Sequence, residues 1–170
     1  KRLDLPVAAK PDSQDICFVP DNDYAAVIRR EARADRIPAP GNFVTAAGTV
    51  LGQHRGIIHY TIGQRKGLNL AMGHPVFVTG IRPETNEVVI GEAQDVFADS
   101  LVCDDLNFMA VEDLVEPMEV TAKIRYSHAG ETCVIEKLQN GRVKCSFKKP
   151  VRAVTPGQAI VFYQEDHVLG

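Results

Sequence analysis

The chain of 170 residues contains no apolar run near the ~20 residues that a helix needs to span a bilayer. Its opening, Lys1-Arg2-Leu3-Asp4-Leu5-Pro6, places an acid and a proline where a secretory leader requires an apolar stretch. The expected compartment is therefore cytosolic, with no membrane partner. Cysteine is sparse: Cys17, Cys103, Cys133 and Cys145 are widely spaced, form no C-x-x-C pair and have no histidine cluster beside them. That spacing argues against a structural zinc site. In a cytosolic setting it reads as free thiols and not as a disulfide framework. Internal repeats and low-complexity segments are also absent.

What is present is ordinary globular material. Hydrophobic residues make up 45% and charged residues 24%, enough for one large or two small domains. The net charge of -3 conceals a segregation. Asp99 to Glu119 holds seven acids and no base, whereas Lys123 to Arg152 holds eight bases against Glu131 and Glu136. Two readings follow: a basic face that attracts phosphates, or a solvated strand face of mixed charge.

Residues 1–20, with Pro6, Pro11 and Pro20, read as a loop carrying one short strand at Ile16-Cys17-Phe18-Val19. A helix is predicted next, capped by Asp21 or Asn22. Tyr24, Val27 and Ile28 form its apolar stripe, with Arg29, Arg30 and Arg33 alongside. Ile37-Pro38-Ala39-Pro40-Gly41 is expected to end it. Short strands are predicted from there on: 42–46, 49–53, 57–60, 75–81, 87–90, 120–126, 132–138, 142–147 and 159–163. Pro83-Glu84-Thr85-Asn86 and Asn140-Gly141 supply hairpin turns. The acidic stretch 95–119 reads as a connection between two β modules. The expected class is mainly β with one short helix, divided into 1–92 and 93–170, and the strand density suggests a barrel.

Two strings stand out chemically. The first is Ser13-Gln14-Asp15-Ile16-Cys17-Phe18-Val19-Pro20. Sulfur transfer requires a thiolate, and a thiol in a proline-bounded segment can move between a donor and an acceptor. The competing reading is a small buried residue between Ile16 and Phe18. The second string is Tyr60-Thr61-Ile62-Gly63-Gln64-Arg65-Lys66-Gly67. Gly63 and Gly67 would allow close backbone approach, and Arg65 and Lys66 could pair with phosphate. The competing reading is a tight loop with two solvated cations.

Together with Gly52-Gln53-His54-Arg55-Gly56-Ile57, Lys123-Ile124-Arg125-Tyr126, Arg152-Ala153-Val154-Thr155-Pro156-Gly157-Gln158 and Val161-Phe162-Tyr163, these strings resemble the tRNA-specific 2-thiouridylases. The matches follow the family's order along nearly the whole chain. The resemblance implies a small central β-rich domain and a C-terminal β-barrel similar to the second domain of translation elongation factors. It also implies an enzyme that makes 2-thiouridine at U34 of tRNAs with Lys-, Glu- and Gln-type anticodons. ATP, with Mg, would adenylate the C2 oxygen. Cys17 would carry the sulfur as a persulfide, and a second cysteine in an N-terminal domain would take part in a disulfide. The sulfur would come from a sulfur-relay protein or a cysteine desulfurase.

By the same resemblance, Arg125, Tyr126 and Gln158 would contact tRNA, while Gln64, Arg65 and Lys66 would organise the site. The family's S-G-G-x-D-S nucleotide loop does not occur here. The chain is therefore expected to be the C-terminal part of a longer enzyme and inactive by itself. None of Cys103, Cys133 or Cys145 sits where the second catalytic cysteine belongs. Two other classes stay open: a non-catalytic RNA-binding barrel, and a thiol-redox or metal protein. The five histidines show no arrangement that suggests a base or a ligand set.

Overall fold

The computed structural model describes residues 19, 23–33 and 37–170. Helix α1 (Tyr24–Glu31) begins at Asp23, whose Oδ1 accepts the Ala26 N–H at 2.9 Å. The expected caps, Asp21 and Asn22, lie outside the described residues. The helix stops well before Ile37, because Ala32 is already extended with ψ 148°. Its buried residue is Ala25, whereas Tyr24 and Ile28 of the expected stripe are exposed. Arg29 ties the helix to the next module, its Nη2 donating to His59 Nε2 at 2.7 Å.

The first sheet contains β1 (Gly41–Val44), β2 (Val50–His54), β3 (Phe77–Arg82) and β4 (Glu87–Gly91) in the order β2-β1-β4-β3. β1 runs parallel to β4, and the other pairs are antiparallel. The strand expected over 57–60 is instead a 3-10 turn, Ile57–His59. Gly56, at φ +114°, redirects the chain, and its carbonyl then accepts the His59 N–H at 3.2 Å. Phe43, Tyr60, Leu68, Val78, Val88 and Ile90 form the core.

One polar residue is buried with them. His54 Nε2–H donates to the Asn86 carbonyl at 3.1 Å, and Nδ1 accepts the Gly56 N–H at 3.0 Å. Those partners assign a neutral imidazole. Phe43 and Tyr60 meet its ring edge-on at centroid distances of 5.5 Å each. Burial pushes the His54 pKa below its ordinary value, outweighing the hydrogen bond to Asn86. Asn86, in the left-handed region at φ +53°, also donates through its side chain to the Ala39 and Pro40 carbonyls. It thus latches the segment leading into β1, the β3–β4 turn and the buried histidine together.

The second sheet contains β5 (Phe97–Cys103), β6 (Met118–Lys123), β7 (Glu131–Lys137), β8 (Val143–Arg152), β9 (Val161–Gln164) and β10 (His167–Val168). Its order is β10-β9-β6-β7-β8-β5, antiparallel throughout. The sheet is barrel-like, wrapping a core that includes Val120, Ala122, Ile135, Val143, Phe162 and Leu169. β5 lies in the stretch read from sequence as a connection. It is a half-exposed edge strand whose Asp99 and Ser100 face solvent, so its apolar alternation is weak. β8 continues through Pro150 because the register shifts there. Ala98 pairs with Val151 and Ser100 with Ser146, so Phe147 to Pro150 stand opposite Asp99 alone. A proline without an N–H is tolerated at such a bulge.

The fold brings part of the acidic stretch onto the basic one. Asp113 pairs with Lys137, and Glu119 pairs with Lys148 at 2.7 Å. Glu136 lies 3.5 Å from Lys144 within the basic segment. The charge segregation of the sequence is therefore partly cancelled in space.

Candidate functional site

Cys17, the sulfur-carrier candidate, lies outside the described residues. The three described cysteines are free thiols. Cys133 and Cys145 project into the barrel core from neighbouring strands and are fully buried. The contact with Cys133 and the loss of solvent both push the Cys145 thiol far up. Burial also raises Cys103. An apolar core disfavours the thiolate, so neither Cys103 nor Cys145 is poised as a nucleophile.

The 61–67 segment is an ordered loop pinned to β3. Gly63 N–H donates to the Val78 carbonyl at 2.7 Å, and Val78 N–H returns a bond to the Gln64 carbonyl at 2.9 Å. The Gln64 side chain staples the loop internally. Its Oε1 accepts the Thr61 N–H and its Nε2 donates to the Lys66 carbonyl, both at 3.0 Å. Gly63 and Gly67 adopt φ +88° and +75°, which only glycine takes without strain. The arrangement leaves the Arg65 and Lys66 side chains on the surface.

Arg125 and Tyr126 follow β6 after the buried Ile124. Arg125 Nη1 donates to the Arg152 carbonyl at 2.8 Å, which fixes the guanidinium. Tyr126 is 72% exposed. Gln158 lies in the exposed turn before β9, on the wall of an open groove of about 910 Å³. Leu101, Met109, Ile124 and Phe162 also line that groove, and Asp104 and Asp105 add negative charge. Such a lining suits a base or ribose better than a phosphate. Lys123 lies over the Tyr163 ring, 5.4 Å from its centroid.

The loop and the barrel rim meet. Arg152 Nη2 donates to the Gly63 carbonyl at 3.0 Å, its guanidinium lies over the Phe77 ring at 5.8 Å, and the next residue, Ala153, donates to the Val96 carbonyl at 2.8 Å. The sequence marks Arg152 only as one of several cations. Its role depends on a contact across 89 positions, which no local pattern reveals.

A mixed β-sheet entered from a short helix and followed by an antiparallel barrel-like sheet places the chain in a class of two-module β proteins. Residues 33–92 match the family described as "tRNA methyl transferase PRC-barrel domain", and residues 98–170 match the "Aminomethyltransferase beta-barrel domain". The chain belongs to the tRNA-specific 2-thiouridylase family and corresponds to the C-terminal part of its members. It is 57% identical over 169 residues to the tRNA-specific 2-thiouridylase MnmA of Lachnoclostridium phytofermentans, covering 99% of this chain and 47% of that protein. It is 52% identical over 170 residues to proteins of the same name from Carboxydothermus hydrogenoformans and Clostridium perfringens, covering all of this chain and 46% and 47% of theirs. The chain thus spans about half the length of the curated relatives it matches.

Proposed function

We propose that this chain is the sulfur-carrying and tRNA-holding part of a tRNA 2-thiouridylase acting on U34. The observation that carries the reading is identity of 52–57% along the entire chain to proteins named for that activity. The two domain descriptions speak of methyl and aminomethyl transfer. Identity at that level over both modules at once weighs more than labels attached to each module singly. We read the chain as dividing near residue 92 into the module that follows the Cys17 string and the barrel.

Cys17 is the persulfide carrier in this reading. Uridine C2 is a poor electrophile until its oxygen becomes a leaving group, and a persulfide supplies a strong nucleophile. Splitting the substitution into activation and attack is the gain of covalent catalysis. That activation would be supplied by ATP in the intact enzyme. The residues here do not fit ATP: the S-G-G-x-D-S string is absent, and the one described α-helix has its N-terminus capped by the Asp23 carboxylate, which accepts the Ala26 N–H. No step is therefore assigned to nucleotide in this chain, and alone it should not thiolate. Arg125 and Tyr126 hold the RNA backbone, Gln158 bonds a ribose or base edge from the groove wall, and Gln64 keeps Arg65 and Lys66 turned outward.

The test is Cys17→Ser in the intact enzyme, with 2-thiouridine measured in tRNA and tRNA affinity measured in parallel. Thiolation should vanish while affinity stays within about twofold. Persisting thiolation would remove the carrier role and leave the RNA-binding barrel as the better account.

A further inference from the structure

We propose that Arg152 is a positioning residue that locks the 61–67 loop to the barrel rim bearing Arg125, fixing the spacing between the cations of the two modules. The inference rests on the RNA reading above for its purpose, but its geometry stands without it. Arg152 works at both ends. Its main-chain carbonyl accepts from Arg125 Nη1 at 2.8 Å, and its guanidinium donates to the Gly63 carbonyl at 3.0 Å while lying over Phe77. One residue therefore contacts the barrel-rim arginine, the loop and β3.

The surroundings are shaped for this contact. A Cβ on Gly63 would stand 2.9 Å from the Ala153 Cβ and 3.4 Å from Arg152 Nη1, so the close approach needs glycine. Ala153 holds φ +59°, a conformation that costs a non-glycine residue energy. That conformation is accompanied by the Ala153 N–H bond to Val96, which extends the β5–β8 pairing one step past Phe97 and Arg152 and holds the end of β8 in place. From Gly63 onward the loop is held by hydrogen bonds: the β3 bonds and the Gln64 staple tie its position to Arg65 and Lys66. Arginine suits the place because a planar fork can donate and stack at once, whereas a lysine ammonium donates only as a point charge. Lys148, which precedes it on β8, pairs instead with Glu119 of the barrel itself. Arg152 is thus a strut and not a phosphate ligand.

The experiment compares the wild-type chain with Arg152→Ala, Arg152→Lys and Gly63→Ala. It reads hydrogen exchange segment by segment and affinity for tRNA across a salt series. Arg152→Ala should speed exchange over 61–67 by roughly fivefold to tenfold, the scale of one ordinary hydrogen bond lost at an exposed site. Exchange over β7 should not change. Affinity for tRNA should fall severalfold with an unchanged salt slope, because no phosphate contact is removed. Arg152→Lys should restore part of both losses, and Gly63→Ala should reproduce both.

Unchanged exchange over 61–67 in Arg152→Ala would overturn the strut. So would a salt slope reduced by about 0.7–0.9, the signature of a lost phosphate contact. If the wild-type chain shows no salt-dependent tRNA binding, the RNA reading falls separately, and the exchange result alone decides whether Arg152 is the lock.

Discussion

The two sheets solve the same packing problem with different materials. The first has four short strands and centres its core on a neutral histidine held by two hydrogen bonds and edged by Phe43 and Tyr60. The second has six antiparallel strands around a purely apolar and thiol core. Three long strands supply enough apolar surface to close the barrel without a polar anchor. The first module has less surface to bury, and it recruits a polar latch, Asn86, to join segments that hydrophobic contact alone leaves loosely specified. The difference implies that the modules should fail under different stresses.

The largest effect comes from emptying each core in turn. Phe43 and Phe162 are each 1% exposed, one in each sheet. Phe162→Ala and Phe43→Ala should each cost about 3–5 kcal/mol, the usual loss for a buried phenylalanine. Hydrogen exchange should show the damage confined to the module carrying the substitution: 97–170 for Phe162→Ala and 41–91 for Phe43→Ala. Equal loss of protection in both modules from either change would break the comparison, because the joint at Arg152 and Ala153 would then bind them into one cooperative unit.

Acid should separate the modules next. The folded pKa of His54 is lowered by burial, so the folded state prefers the neutral ring and the unfolded state binds more protons below about pH 6.5. Stability from this group is complete above that value. It is lost as pH falls through it and continues to fall toward the lower folded pKa. Protonation also turns Nδ1 into a donor facing the Gly56 N–H. His59 shifts the same way, through burial and then the nearby Arg55 and Arg29 cations, and adds a smaller loss. Exchange over 41–60 should therefore accelerate between pH 7 and pH 5 more than exchange over β7, once intrinsic rates are removed. His54→Phe should abolish most of that pH dependence. It should also lower stability by about 1–3 kcal/mol for each buried partner left unsatisfied. A first module that loosens no faster in acid than the barrel would show that the latch is not what distinguishes it.

The residues that sequence reading found and missed follow the same division. Hairpins around 83–86 and 140–141 were legible, since turn chemistry is local and the flanking apolar residues are many. The mainly β class was legible for the same reason. β5 was not, because Asp99 and Ser100 interrupt its apolar residues and both face solvent, so no period-two alternation registers. The strand expected at 57–60 failed because a glycine at φ +114° overrides β propensity just before it. The motif residues Gln64 and Arg125 were legible as strings, but not what they touch. Gln64 bonds within its own loop and Arg125 bonds a carbonyl 27 positions away. His54, Asn86 and Arg152 act through contacts between distant segments, and a single sequence contains no trace of such pairs.

The smallest effect concerns surface charge and sharpens the comparison where both modules expose cations. Arg65 and Lys66 of the first module stand on an exposed loop. In the barrel, Lys148 faces Glu119 at 2.7 Å, with both side chains more than half exposed. An exposed pair of this kind adds little to stability, about 0–1 kcal/mol, so Glu119→Gln should leave the unfolding midpoint nearly unchanged. It should nevertheless free a cation on the strand that ends at Arg152. If the barrel binds RNA backbone on that face, tRNA affinity should rise two- to threefold at low salt, and the gain should shrink as salt screens it. Lys66→Gln should act oppositely, weakening binding with a shallower salt slope. A gain from Glu119→Gln that persists unscreened at high salt would mean that Glu119 opposes binding by shape and not by charge, and would remove the β8 face from the RNA surface.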